Sequence, residues 1–152
     1  MRLGLMARPR AGDWLEEEIA GWREAEVGTV VSLLEPHEVH ELGLSSEARL
    51  CAQNGIEFLS LPIRDRGTPQ GPDAAIRLID DLVARLQGGT GVAIHCRAGI
   101  GRTGLVAGCI LSRLGMPFGD IFAALSEARG VAMPDTAEQA DWVRAFCAKG
   151  VR

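Results

Sequence analysis

The segment that most limits the fold is a strand, a loop and a helix written in one run. "GVAIH" (91–95) is apolar and short, "CRAGIGRTG" (96–104) is nearly bare of bulk, and "RTGLVAGCILSRL" (102–114) is apolar for most of its length. Four apolar residues leading into His95 fit a strand buried on both faces, and the following stretch has helical length. Such a strand needs other strands beside it and helices above and below.

The rest of the chain supplies both. "RLGLM" (2–6), "TVVSLL" (29–34) and "EFLSLPI" (57–63) read as three further strands. Asp13 is placed to cap a helix through "WLEEEIAGWREA", with Glu16, Glu17 and Glu18 near its positive end. "EPHEVHELGL" and "SSEARLCAQNG" read as one or two short helices stopped by Gly55. After the irregular "RDRGTPQGP" (64–72), Ala75, Ile76, Ile79, Leu82, Val83 and Leu86 recur at helical spacing, and two more helices are expected near 118–129 and 136–148. The fold class is therefore α/β: three layers, with a central, mainly parallel sheet of four to five strands and helices on both faces. Residues 1–152 show no linker or repeat and read as one domain.

Composition narrows the function. A content of 47% hydrophobic and 24% charged residues is that of a folded chain. The net charge of −4, with Lys149 the only lysine, argues against a nucleic-acid partner. The longest apolar runs fall well below the about 20 residues of a membrane span, and "MRLGLMARPR" is too short in apolar residues for a secretory signal, so a cytosolic location is expected. The four cysteines are far apart and lack metal-ligand spacing, so no metal, cofactor or disulfide is implied. Cys51, Cys109 and Cys147 read as buried small hydrophobes. His37 and His40 read as surface residues, and Trp14, Trp22 and Trp142 as packing residues.

In a parallel sheet, ligands sit beyond the carboxyl ends of the strands, where the Cys96 loop lies. Backbone N–H groups turned inward at a helix start form an anion nest, and Gly99 and Gly101 permit positive φ or a close approach of the ligand. Arg102 returns over the same centre with a planar fork that matches two phosphoryl oxygens. The field that holds a dianion also favours the thiolate of Cys96, making it a nucleophile. Thr103 can donate its hydroxyl to that sulfur, and His95 orders the loop from behind.

The string His-Cys-x-x-Gly-x-Gly-Arg-Thr-Gly between strand and helix resembles the signature of the cysteine-dependent protein tyrosine phosphatase superfamily. "LPIRDRGTP" (61–69) looks like the acid-bearing segment of its small dual-specificity branch. The resemblance implies a metal-independent phosphatase with a phosphocysteine intermediate, acting on a phosphorylated protein: phosphotyrosine, with phosphoserine and phosphothreonine as further candidates. It makes Cys96 the nucleophile, Arg102 the phosphate and transition-state clamp, and Asp65 the general acid and base, with Arg97, Ala98, Gly99, Ile100 and Gly101 forming the phosphate-binding loop. For Asp65 alone, the ordinary reading is a turn residue. Two readings stay open for Gln139, positioning of the hydrolytic water or a polar position on a helix face, and two for Arg97, a cation at the pocket rim or a solvated side chain. Phosphoinositide, inositol-phosphate and RNA 5′-phosphatases belong to the same superfamily. A non-catalytic phosphate-binding module and a sulfurtransferase are the readings from other classes.

Overall fold

The computed structural model describes residues 1–150. Four strands, β1 (Leu3–Met6), β2 (Val27–Ser32), β3 (Glu57–Ser60) and β4 (Gly91–His95), form one parallel sheet in the order β1-β4-β2-β3. That order sets β4 inside the sheet, and all its residues are buried, as the apolar run leading into His95 requires. The helices are α1 (Asp13–Glu24), α2 (Pro36–Glu41), α3 (Glu47–Gln53), α4 (Pro72–Gln87), α5 (Gly101–Arg113), α6 (Phe118–Arg129) and α7 (Ala137–Gly150).

Side chains alternate across the strands and divide the core in two. Val30 and Ala93 pack with Leu15 and Ile19 of α1 and Leu50 and Cys51 of α3. Val31, Val92 and Ile94 point the other way, onto α4, α5, α6 and α7. The three-layer α/β expectation is met with four strands. α5 is the central helix, since every residue from Gly101 to Ile110 is buried.

The boundaries differ from the sequence reading where backbone chemistry intervenes. β3 runs only to Ser60, although Leu61 and Ile63 still donate to the carbonyls of Ser32 and Leu33 at 3.0 and 3.1 Å; Pro62, between them, turns its nitrogen to the outer side of this edge strand, where no ladder bond is lost. β2 runs from 27 to 32 rather than 29 to 34. Asp13 does not cap α1: Gly12 holds that position with φ 66°, and Asp13 is the first helical residue, acting only as a charge. Trp14 is no packing residue either. It is 53% exposed, with the Arg10 guanidinium 4.5 Å from its ring centroid. Trp22 and Trp142 are half-buried against the two cores.

All four strands point the same way, so the segments that follow β2, β3 and β4 leave the sheet at one edge. Glu38, Asp65 and Cys96 sit on those three segments.

Candidate active site

In the loop after β4 the carbonyls are bonded within the protein and the amides are left open. The Cys96 carbonyl accepts from His95 Nδ1 at 3.2 Å, that of Arg97 from the Arg8 N–H at 3.2 Å, and that of Ile100 from the Gly104 N–H at 3.1 Å. Arg129, on α6, reaches back to donate to the carbonyls of Ala98 (2.9 Å) and Gly99 (3.2 Å). The N–H groups from Arg97 to Thr103 meet no acceptor among the described residues, and α5 starts without a side-chain cap. Uncapped N–H groups at a helix start make a site for an anion.

Two glycines are required: Gly99 takes the positive φ that was one of the two expected reasons, and at both positions the close approach is to the protein itself. At Gly99, φ is +73°, and a Cβ there would strike the Met6 carbonyl and lie 2.7 Å from the Ala7 nitrogen. At Gly101 a Cβ would lie 2.8 Å from both Asp135 Cβ and Gln139 Oε1. What the missing side chains admit is the protein's own backbone and α7, rather than a ligand.

Cys96 is 3% exposed, and Thr103 Oγ1 donates to its sulfur at 3.1 Å. Arg102 lies beneath the loop, 2% exposed, as a hub between elements. Its Nη1 bonds Glu38 Oε1 at 2.6 Å and the Ile63 carbonyl at 2.9 Å, while its Nη2 bonds Glu38 Oε2 at 3.0 Å and Asp65 Oδ1 at 3.2 Å. Burial works against the charge of Arg102, but Glu38, with Cys96 and Asp65, holds its pKa above the ordinary value. Burial likewise opposes ionisation of Glu38, yet hydrogen bonds from Arg102, the Glu35 N–H and Arg97 bring it down to about 2. The pair is a charge-assisted fork that fixes the guanidinium plane.

A cleft of about 210 Å³ opens over these groups, lined by Asp65, Arg66, Cys96, Arg97, Ala98, Gly101, Arg102 and Asp135. Asp65 comes from the loop after β3 and is 57% exposed along its side chain. Arg97 takes the rim, 45% exposed and 3.4 Å from Glu38. Arg66 spans the mouth to Asp135 at 3.1 Å. Gln139, a polar residue on α7, is wholly buried: it accepts from the Thr136 N–H at 3.1 Å and donates to the Gly67 carbonyl at 3.1 Å, tying α7 to the acid loop. His95 lies behind the loop, wholly buried, as expected.

The structure therefore brings Cys96, Arg97, Arg102, Thr103 and Asp65 to one cleft. His37 and His40 are exposed, and no cluster of metal-ligating side chains occurs among the described residues. Three participants escaped the sequence reading: Glu38, Glu47 and Arg129. For Glu38, the one available signal was the spacing from Glu35, which forms a capping box around α2.

A parallel sheet whose central strand feeds such a loop defines the class: a phosphatase of the dual-specificity and protein tyrosine phosphatase superfamily. The family model Tc-R-P, described as a DSP-PTPase phosphatase of polymorphic toxin systems, matches residues 4–116, most of the chain, and the chain belongs to that family. Residues 4–116 include Glu38, Asp65, Cys96 and Arg102 but not Arg129, Asp135 or Gln139. A protein of Invertebrate iridescent virus 3, provisionally named tyrosine phosphatase 067L, is 38% identical over 58 residues, 36% of this chain and 24% of its own length. The match thus spans about a quarter of that curated relative. Among solved structures, kinase associated phosphatase with its catalytic-site cysteine changed to serine superimposes with TM-score 0.89 at 23% identity, over 97% of this chain and 86% of its own. Tk-PTP in its active form gives 0.82 at 23% identity (98% and 93%), and PTPMT1 in complex with PI(5)P gives 0.79 at 17% identity (97% and 91%). At these identities the likeness is one of fold.

No described helix is long and apolar enough to cross a membrane.

Proposed function

We propose that the protein hydrolyses phosphomonoesters through a phosphocysteine on Cys96, with phosphotyrosine in proteins as the leading substrate and phosphoserine and phosphothreonine as further ones. The observation that carries this reading is what gathers around Cys96 in one cleft: N–H groups of residues 97–103 with no acceptor among the described residues, the guanidinium of Arg102 in the same lining, and the Thr103 hydroxyl donating to the sulfur. The phosphoryl dianion sits in the nest, and the Cys96 thiolate attacks phosphorus. As the S–P bond forms, the bond to the ester oxygen breaks and Asp65 gives that oxygen a proton. Asp65 then takes a proton from water, which attacks phosphorus and expels the thiolate onto the Thr103 hydroxyl. His95 and the backbone of Arg97 to Gly101 hold the loop in place. Gln139 ties the acid loop down through one bond at each end of its amide, and its second N–H and second oxygen lone pair remain for a water. A nucleophilic thiol needs a reducing compartment, which agrees with a cytosolic setting.

One observation favours a second reading. Among the described residues no aromatic side chain lines the cleft, while Arg66 and Arg97 stand at its rim, an arrangement suited to a substrate with additional anionic groups, such as a phosphoinositide, an inositol phosphate or an RNA 5′-phosphate. The test is hydrolysis of an aryl phosphate near pH 6 with chelator and reductant present, by wild type and by Cys96→Ser. Phosphate release that vanishes in the variant supports the reading, and a wild type without turnover overturns it. Thiocyanate formed from thiosulfate would point to a sulfurtransferase instead. A panel of phosphopeptides, phosphoinositides and 5′-phosphorylated RNA then ranks the substrates by kcat/KM.

A further inference from the structure

Beneath the cleft, His95, which the reaction above uses to hold the loop, is paired with a buried acid that it does not use. Glu47, in the first turn of α3, is 2% exposed, and its Oε2 lies 2.7 Å from Nε2 of the wholly buried His95. The other ring nitrogen, Nδ1, is 3.2 Å from the carbonyl oxygen of Cys96. We propose that Glu47 is a positioning residue for the nucleophile: it holds His95 as an imidazolium whose Nδ1–H grips the Cys96 carbonyl, fixing the loop and placing a positive charge behind the thiolate.

The argument is one of hydrogen-bond capacity. A carbonyl oxygen only accepts, so Nδ1 must carry a proton. Nε2 faces a carboxylate oxygen at 2.7 Å, which likewise only accepts. Both nitrogens then donate, and the ring is charged. The pair sits in a layer with no water contact, where a lone carboxylate or a lone imidazolium would be costly, so each accounts for the other. Moreover, the Cys96 carbonyl is the first in the bonded series of the loop; holding it helps keep the following amides open.

The charged and titratable groups around this pair are few. From α3, Cys51 is near Glu47, and burial together with the Glu47 charge pushes its thiol up to about 12, so it stays protonated. From α5, Arg102 and Thr103 face the sulfur; from α2, Glu38 faces Arg102, and from the loop after β3, Asp65 does. β2 contributes Ser32 opposite His95 and β1 contributes Met6, neither of which is charged. Glu47 is therefore the anion bonded directly to the ring.

The inference rests on Cys96 being the nucleophile, and the experiment separates the two claims. Alkylation of Cys96 by iodoacetamide, followed by mass spectrometry across pH 4–9, reads thiolate formation whether or not any phosphate ester is turned over. In Glu47→Gln, whose amide can donate to Nε2 of a neutral ring, we expect the midpoint of alkylation to rise by about one pH unit and the rate at pH 5 to fall about tenfold, with the high-pH plateau unchanged. In a His95→Asn background the same substitution is expected to add no shift, because Glu47 acts through the ring. An unchanged profile in Glu47→Gln, or an equal shift in both backgrounds, overturns the proposal. Should the variant not fold, ¹⁵N chemical shifts of His95 in the wild-type protein decide: protons on both nitrogens at pH 7 support it, and an unprotonated nitrogen overturns it. A wild type that alkylates as expected but releases no phosphate would fail the phosphatase reading and leave this one standing.

Discussion

The two loops that meet at the cleft are held in opposite ways. The Cys96 loop is fixed on every side: its carbonyls are bonded by His95, Arg8, Arg129 and Gly104, and the backbone at Gly99 is pressed against Met6 and Ala7. The Asp65 loop has one internal turn bond, from the Gly67 N–H to the Arg64 carbonyl at 2.8 Å, and three side-chain ties, from Gln139, Arg66 and Arg102. Attack on phosphorus needs amides and thiolate held to within a fraction of an ångström, so rigidity belongs there. Protonating a departing oxygen needs an acid that can first move aside. Asp65 occupies an Nη2–H of Arg102 at 3.2 Å, and a phosphoryl oxygen arriving on that N–H would free the carboxyl to reach the ester oxygen.

The largest effect that sharpens this contrast is on the acid side. Asp65→Asn should lower kcat by about 10²–10³ for alkyl phosphates, whose leaving group needs a proton, and by far less for nitrophenyl phosphate, whose leaving group does not. Its melting temperature should stay within about 2 °C of wild type, because the side chain is exposed. Equal losses on both substrates would mean that Asp65 braces Arg102 instead of moving a proton.

On the nucleophile side, Gly99→Ala should cost about 100-fold in kcat/KM and lower the melting temperature together with activity. The new methyl group meets the backbone of Met6 and Ala7, and the residue is forced to hold φ near +73°. The same change at the exposed Gly71, whose φ is −138° and whose Cβ would meet nothing, serves as the control. Comparable losses at both positions would erase the distinction between the loops.

What could be read from the sequence follows from distance along the chain. β4, the Cys96 loop and α5 are contiguous, so an apolar run, a glycine-rich turn and an apolar helix revealed Cys96, Thr103, Arg102 and His95 together. Asp65 was legible only as an acid in a loop at the same sheet edge. Glu47 and Arg129 were not legible at all, and for Glu38 the spacing from Glu35 signalled a helix start but not a place in the site. Glu38 stands in "EPHEVHE", where three carboxylates and two histidines share a short helix, and only packing against Arg102, 64 residues later, decides which of them turns inward. Glu47 depends in the same way on His95, 48 residues away, and Arg129 ends an ordinary amphipathic helix. The glycines were recognised as necessary, but the obstructing partner, the backbone after β1, lies more than 90 residues upstream of Gly99.

Glu38 offers a more moderate test, in pH. Its pKa is lowered to about 2 in the folded protein from the ordinary 4.5, so its ionisation stabilises the fold above about pH 4.5, and that contribution is lost as pH falls towards 2. In Glu38→Gln, chemical denaturation should show a shallower decline of stability between pH 4.5 and 2. At pH 7 the variant should be less stable by about 3 kcal/mol, since Arg102 is left buried without its partner. The KM for an aryl phosphate should rise about tenfold as the guanidinium plane loses its brace. A decline as steep as wild type's would remove Glu38 from the rigid half of the site.

The smallest effect is expected at Arg66, where the looseness of the acid loop can be measured directly. Arg66 adopts φ 61°, a left-handed conformation that costs a non-glycine residue about 1 kcal/mol or more. Its ion pair with Asp135 is 63% exposed on the arginine side, and exposed pairs contribute about 0–1 kcal/mol. The tie therefore roughly offsets the strain at its own anchor, and the loop gains little net hold from it. Arg66→Ala should reduce kcat/KM for an aryl phosphate no more than about threefold, and adding 0.5 M salt to wild type should reproduce much of that loss by screening the pair. Arg66→Gly, which removes the strain along with the pair, should leave stability closer to wild type than Arg66→Ala does. A hundredfold loss in Arg66→Ala would show an acid loop as firmly clamped as the loop that carries Cys96, and the division of the site into a rigid half and a yielding half would fail.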